Sequence, residues 1–248
     1  MVPLSFYRPS MQTNLFCGQS ADLRTIRDRL KIAFGRDRSG VRVSAINQFI
    51  RSFIASRTLD WQSDRAFTRL LNRYSGPEAL AEAPVAEIEA ALDGVQFADK
   101  KARELKDALL HIRARAGSVD LEFLAGLDVE TALVWLEQIR GVGRKIAAAT
   151  LNFSTLRKRA FVVDTHIVRI MRRFGFVKPN AETEDVYEAV MAAARDMSAD
   201  DLTELHWHLK RLGQNTCKAF QASCHACPLS ESCMKRMDAP MGRSGHAA

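Results

Sequence analysis

Apolar residues along this chain recur at steps of three and four, and no stretch alternates apolar with polar over the length of a strand. Leu23, Ile26, Leu30 and Phe34 form the first stripe, which Asp22 is placed to cap, after a polar, irregular tail over residues 1–20. GRDRSG at 35–40 reads as a turn. The same period predicts helices over 45–56, 61–74, 85–92, 101–116 and 130–139, another from 144 onward, and three more over 167–174, 186–195 and 201–212. The helix over 101–116 is the clearest, with Ala102, Leu105, Ala108, Leu109 and Ile112 on one side. Gly76-Pro77 reads as a stop, and DGVQFADKKA as a loop. The fold class this predicts is all-α, without internal repeats.

One stretch, 136–165, concentrates the candidate chemistry. An apolar helix ends in Gly141-Val142-Gly143, and a second begins at Arg144 and Lys145. Glycines at 141 and 143 permit a tight reversal and close approach to another surface, since neither carries a Cβ. A helix leaving such a turn points its first N–H groups outward, a natural seat for a phosphate. Lys145 puts an amine beside that seat, and Asp164 stands where a following helix N-terminus favours a carboxylate. A plain glycine turn between two core helices, with Lys145 solvated and Asp164 only a cap, would use the same residues.

The cysteines add a second feature. Cys217, Cys224, Cys227 and Cys233 are spaced C-x6-C-x2-C-x5-C, whereas Cys17 lies far away and reads as a bystander thiol. Four thiolates in one short loop can wrap a single cubic iron–sulfur cluster. Structural zinc also takes four cysteines, but its sites tend to pair two close-spaced hooks, and this loop has one. Disulfides are disfavoured for cysteines bunched this way in a reducing compartment.

Composition narrows the partner. Lys plus Arg outnumber Asp plus Glu, 36 against 29, for a net charge of +7, which suits a polyanion. Arg140, Arg144, Lys145, Arg157, Lys158, Arg159, Arg169, Arg172 and Arg173 crowd the central stretch and the helix after it. No apolar run approaches the roughly 18 residues of a membrane span, and the N-terminal sequence lacks an apolar signal core. The expectation is a cytoplasmic or nucleoid-associated monomer with no membrane partner.

GVGRK followed by VDTH resembles the helix-hairpin-helix plus Gly/Pro-Asp signature of DNA glycosylases, in particular the endonuclease III branch. The resemblance runs from about Leu23 to Cys233. His206, Leu209, Gly213 and Cys217 match that family's approach to its metal loop, and the cysteine gaps match its [4Fe–4S] loop one for one. ASRTLD resembles a family segment in which Arg57 stands at the position that fills the gap left by an extruded base. VQFADKKA resembles the family's wedge loop, with Gln96 beside Phe97 at the wedge itself.

The resemblance implies two interleaved helical domains with a DNA cleft between them. A six-helix barrel would take residues 41–156, and the iron–sulfur domain residues 21–40 and 157–238, leaving tails at 1–20 and 239–248. It implies double-stranded DNA with a damaged or mispaired base as partner. Gly141, Gly143 and Arg144 would grip its backbone, Lys145 would attack the sugar, and Asp164 would assist. Cys217, Cys224, Cys227 and Cys233 would hold the [4Fe–4S] cluster, directing Lys218, Lys235 and Arg236 towards DNA. A setting among cations such as Arg144 would favour the neutral amine that attack needs. The implied activity is a glycosylase with lyase activity on damaged pyrimidines. A uracil or mispaired-thymine glycosylase with weak or no lyase activity, and a non-catalytic iron–sulfur DNA-binding protein, are the alternatives. Arg140, in place of the usual proline before GVG, and Ile146, in place of threonine after the lysine, point to a divergent branch.

Overall fold

The computed structural model describes residues 12–36 and 41–235, with side chains from residue 21 onward. The expected tail ends at 1–11 and 239–248, the later part of the GRDRSG turn and Arg236 lie outside the described residues, as does the side chain of Cys17. Among the described residues the chain is helical and has no strand; a single antiparallel bridge joins Cys217 and Ala222. No helix among them is long and apolar enough to cross a membrane.

The first helix, α1 (Gln12–Phe34), starts well before Asp22, which therefore lies inside it and caps nothing. No proline interrupts the preceding residues, and the lone Gly18 costs a helix only about 1 kcal/mol. The remaining helices are α2 (Ala45–Ile54), α3 (Asp60–Arg73), α4 (Pro77–Glu82), α5 (Val85–Ala91), α6 (Ala98–Ala116), α7 (Val129–Glu137), α8 (Arg144–Phe153), α9 (Thr165–Phe174), α10 (Thr183–Ala193) and α11 (Ala199–Asn215). Gly76-Pro77 opens a helix rather than only ending one. Proline at the first helical position of α4 lacks an N–H that would have had no partner there, and its ring presets the helical φ.

Contacts divide the chain into two compact units. The first holds α2 to α8 together with Ser198–Glu204. Its α2 starts under the Ser44 hydroxyl, which accepts from Asn47 N at 3.4 Å, and repeats Ile46, Phe49, Ile50, Phe53 and Ile54 inward. That face packs along α8, while α6 receives α2, α4 and α5. Residues 198–204, grouped with the flanking segment by sequence order, belong here because Asn152 of α8 anchors them. Its side-chain amide donates to Lys158 O at 2.9 Å and Ala199 O at 3.0 Å, and its oxygen accepts from Thr203 Oγ1 at 2.6 Å.

The second unit holds α1, α9, α10, the later part of α11 and the cysteine segment. α1 packs on α10, and α10 on α9. A capping box between Glu182 and Asp185 starts α10, and left-handed Gly175 ends α9.

Candidate active site

The hairpin grows from buried apolar residues. Ile139 is buried, Val142 N donates back to Ile139 O at 3.0 Å, and Val142 turns its own side chain inward. Gly141 adopts φ +84°, so the backbone asks for glycine, although a Cβ there would make only ordinary contact with the Phe53 ring at 3.4 Å. Gly143 differs. Its φ of −106° suits any residue, and a Cβ would meet nothing within 4 Å. Gly143 is the N-cap of α8, and no side chain caps that helix start.

The two cations that open α8 part ways. Arg144 folds back onto α7, its Nε donating to Glu137 Oε1 at 2.5 Å, with Glu130 at 3.9 Å. Its charge is thus met by carboxylates of α7. Lys101 of α6 feels the charge of Lys145. Burial first, and the charge of Lys145 second, push the Lys101 ammonium down to about 8. Lys145 itself is half-buried one residue into α8.

Lys101 is 5 % exposed and donates to Ile54 O at 2.8 Å, Ser56 O at 2.6 Å and Thr58 Oγ1 at 3.0 Å. The same Thr58 oxygen accepts from Gln96 N at 3.3 Å. These bonds bring together the loops carrying Arg57, Gln96 and Phe97. Arg57 and Phe97 each hold a left-handed backbone, φ 54° and 60°, and Phe97 is 52 % exposed rather than packed in the core. Lys101, part of the wedge-loop match, also carries a signal in the helical pattern. It sits four residues before Leu105 and seven before Ala108, on the buried stripe of α6.

In the other unit Asp164 caps α9, accepting from Ile167 N at 2.9 Å, and is 8 % exposed. Behind it α9 presents two arginines to the cysteine segment. Arg169 donates to Cys217 O at 3.0 Å and Gly213 O at 2.9 Å, and its Nη2 pairs with His166 Nδ1 at 3.0 Å. A Cβ on Gly213 would stand 2.7 Å from the His166 Cβ, which explains glycine there. Arg173 donates to Lys218 O at 2.7 Å and Ala219 O at 2.9 Å, with Cys217 Sγ at 3.6 Å. Lys218 is exposed, and Lys235 N donates to Cys233 Sγ at 3.3 Å.

The four cysteines are partly buried and form no disulfide. Burial pushes the Cys227 and Cys233 thiols up, and the N–H groups of Leu229 and Lys235 pull them partly back. Among the described residues no three His, Cys, Asp or Glu side chains are spaced to hold a single metal ion. The donor set itself suits an iron–sulfur group: four thiols from one loop, with main-chain N–H and guanidinium donors directed at their sulfurs.

The sequence pattern of the HhH-GPD superfamily of base excision DNA repair proteins matches residues 50–195. A putative DNA glycosylase of Arabidopsis thaliana is 29 % identical over 192 residues, 75 % of this chain and 65 % of that protein, so the chain spans just under two thirds of its length. An endonuclease III of Sulfolobus acidocaldarius is 27 % identical over 192 residues, 76 % of this chain and 81 % of the relative. The solved structure of an endonuclease III trapped as a covalent intermediate with DNA has the same fold, with a TM-score of 0.72 at 21 % identity, over 87 % of this chain and 96 % of that one. With the hairpin, the α9 cap and the cysteine segment inside a helical fold of this kind, the chain belongs to the HhH-GPD superfamily of base excision DNA repair proteins.

Proposed function

We propose that the protein is a DNA glycosylase with AP lyase activity that removes a damaged pyrimidine from duplex DNA. The observation that carries this reading is the uncapped start of α8 at Gly143, with Lys145 one residue inside it. A phosphate docked on those N–H groups would bring the sugar of an extruded nucleotide to an amine. The open space at Gly143 supports close approach of a DNA backbone, because among the described residues no atom beyond its own chain neighbours lies within 4 Å of where a Cβ would stand.

The reaction follows from the residue types. As the glycosidic bond breaks, its electrons leave with the base and positive charge develops on the sugar. The Asp164 carboxylate stabilises that charge. Neutral Lys145 Nζ bonds to C1′, the sugar ring opens to a Schiff base, and loss of a C2′ proton expels the 3′ phosphate, nicking the strand. Arg57 and Phe97 enter the stack that the base vacates. Cys217, Cys224, Cys227 and Cys233 would hold a [4Fe–4S] cluster, whose contribution is to close the loop that presents Lys218 to DNA.

A panel of duplexes containing thymine glycol, uracil, T·G and 8-oxoguanine tests this. Base release and strand nicking are expected on thymine glycol. Release confined to uracil or T·G without nicking would replace the reading with a monofunctional pyrimidine glycosylase. Binding without any release would make the protein a non-catalytic one.

A further inference from the structure

Lys101 is a costly residue to keep. Its ammonium is buried and donates to neutral oxygens, with no carboxylate among the acceptors at Ile54, Ser56 and Thr58. Its neighbourhood includes a second lysine, Lys145, and burial with that repulsion lowers its hold on a proton. An apolar side chain of similar length would fill the same position on the buried stripe of α6 without desolvating a charge.

What the amine achieves is a set of connections that no apolar residue can make. A single ammonium with three rotatable donors reaches three successive stations of one loop, at 54, 56 and 58. The backbone N–H of the same residue donates to Phe97 O at 2.9 Å, and Thr58 accepts from Gln96 N at 3.3 Å. Lys101 thus grips the Arg57 loop with its side chain and the Phe97 turn with its main chain. Both gripped residues hold left-handed backbones that cost a non-glycine residue about 1–2 kcal/mol, so each needs such restraint.

We propose that Lys101 is a positioning residue whose ammonium clasps the 54–58 loop to the start of α6, so that Arg57 and Phe97 are presented to DNA as one unit. The presentation to DNA rests on the function proposed above; the clasp rests on the hydrogen bonds alone. Lys101 touches neither the sugar nor the base in this account. It governs how readily the stack is invaded, not the chemistry that follows.

The test compares the wild-type holoprotein with Lys101→Met, Thr58→Val and Thr58→Ser. Hydrogen exchange is measured over residues 54–58 and 93–97. Two rates are measured on one duplex sequence: single-turnover base release from the lesion, and nicking at a preformed abasic site, where no base need be extruded. Lys101→Met and Thr58→Val are expected to raise exchange in both segments together. Both should slow base release about tenfold; because Lys101→Met also removes a charge coupled to Lys145, Thr58→Val carries the comparison and should leave abasic-site nicking within about threefold of wild type. Thr58→Ser, which keeps the hydroxyl, should restore both readouts. Unchanged exchange, or release and nicking falling by the same factor in Thr58→Val, would overturn the proposal. Thr58→Val decides the matter if Lys101→Met does not fold. A wild type that releases no base from any duplex sinks the proposed function and the presentation to DNA together, while the exchange arm still decides the clasp.

Discussion

The glycine hairpin is held from beneath by apolar side chains, whereas the cysteine segment is held by guanidinium groups. Under the hairpin lie Ile139, Val142, Ile146 and Phe53, all buried, and the turn follows from their packing. In the cysteine segment Leu229 is buried but Phe220 stands 98 % exposed, and the main chain is tied down by Arg169 and Arg173 from α9. A turn on an apolar floor keeps its shape with nothing bound to it. A segment hung on hydrogen bonds has no such floor, and the cluster proposed for its four cysteines would add the cross-link that its packing lacks.

That contrast can be broken most severely at the cysteines. Replacing Cys227 by Ser should abolish the iron–sulfur absorbance and iron content of the purified protein, and raise hydrogen exchange across 217–235. Exchange at the hairpin should stay as it was. Zinc without iron in the wild-type protein would refute the cluster. Next comes Arg173→Met, which leaves the carbonyls of Lys218 and Ala219 without a buried, charged donor. A loss of about 3 kcal/mol in urea unfolding is expected, because breaking a buried charged network costs that order. A loss under about 1 kcal/mol would mean that the guanidinium is not what holds the segment.

The hairpin glycines sharpen the comparison from the other side. Gly141→Ala forces a side chain into φ +84° and should cost about 1–2 kcal/mol. Gly143→Ala should change stability by less than about 0.5 kcal/mol, since its Cβ enters open space, yet weaken binding to duplex DNA. Equal stability losses for the two would contradict the assignment of Gly143 to a partner.

A separate effect is a pH dependence at Lys101. Its folded value of about 8 lies below the ordinary 10.5, so between those pH values the unfolded chain carries a proton that the folded chain has released. The unfolded state then binds more protons, and this group makes stability rise with pH from about 8 to about 10.5. Lys101→Met should remove that rise from chemical-denaturation curves measured across the window. A rise of the same size in the variant would assign it to another group.

Much of this is legible in the sequence. The hairpin, the Asp164 cap and the cysteine spacing are local in sequence, and local patterns carry their own geometry. Three features were not legible, each for a physical reason. The start of α1 escaped because Asp22 is a good cap that the chain does not use when the preceding residues are helical as well. Pro77 can end one helix or begin another, and its neighbours alone do not distinguish the two. The partners of Arg144 and Lys101 escaped because a charge is defined by what surrounds it. Glu137 and the carbonyls of residues 54 and 56 come from other elements, and only folding brings them near.

The central claim is that Lys145 becomes covalently joined to the sugar of the nucleotide whose base is removed. Incubating the holoprotein with a thymine-glycol duplex and borohydride should trap a protein–DNA crosslink that maps to Lys145, and Lys145→Gln should form none. Base release by the wild type without any trapped crosslink, or a crosslink that persists in Lys145→Gln, would contradict the account.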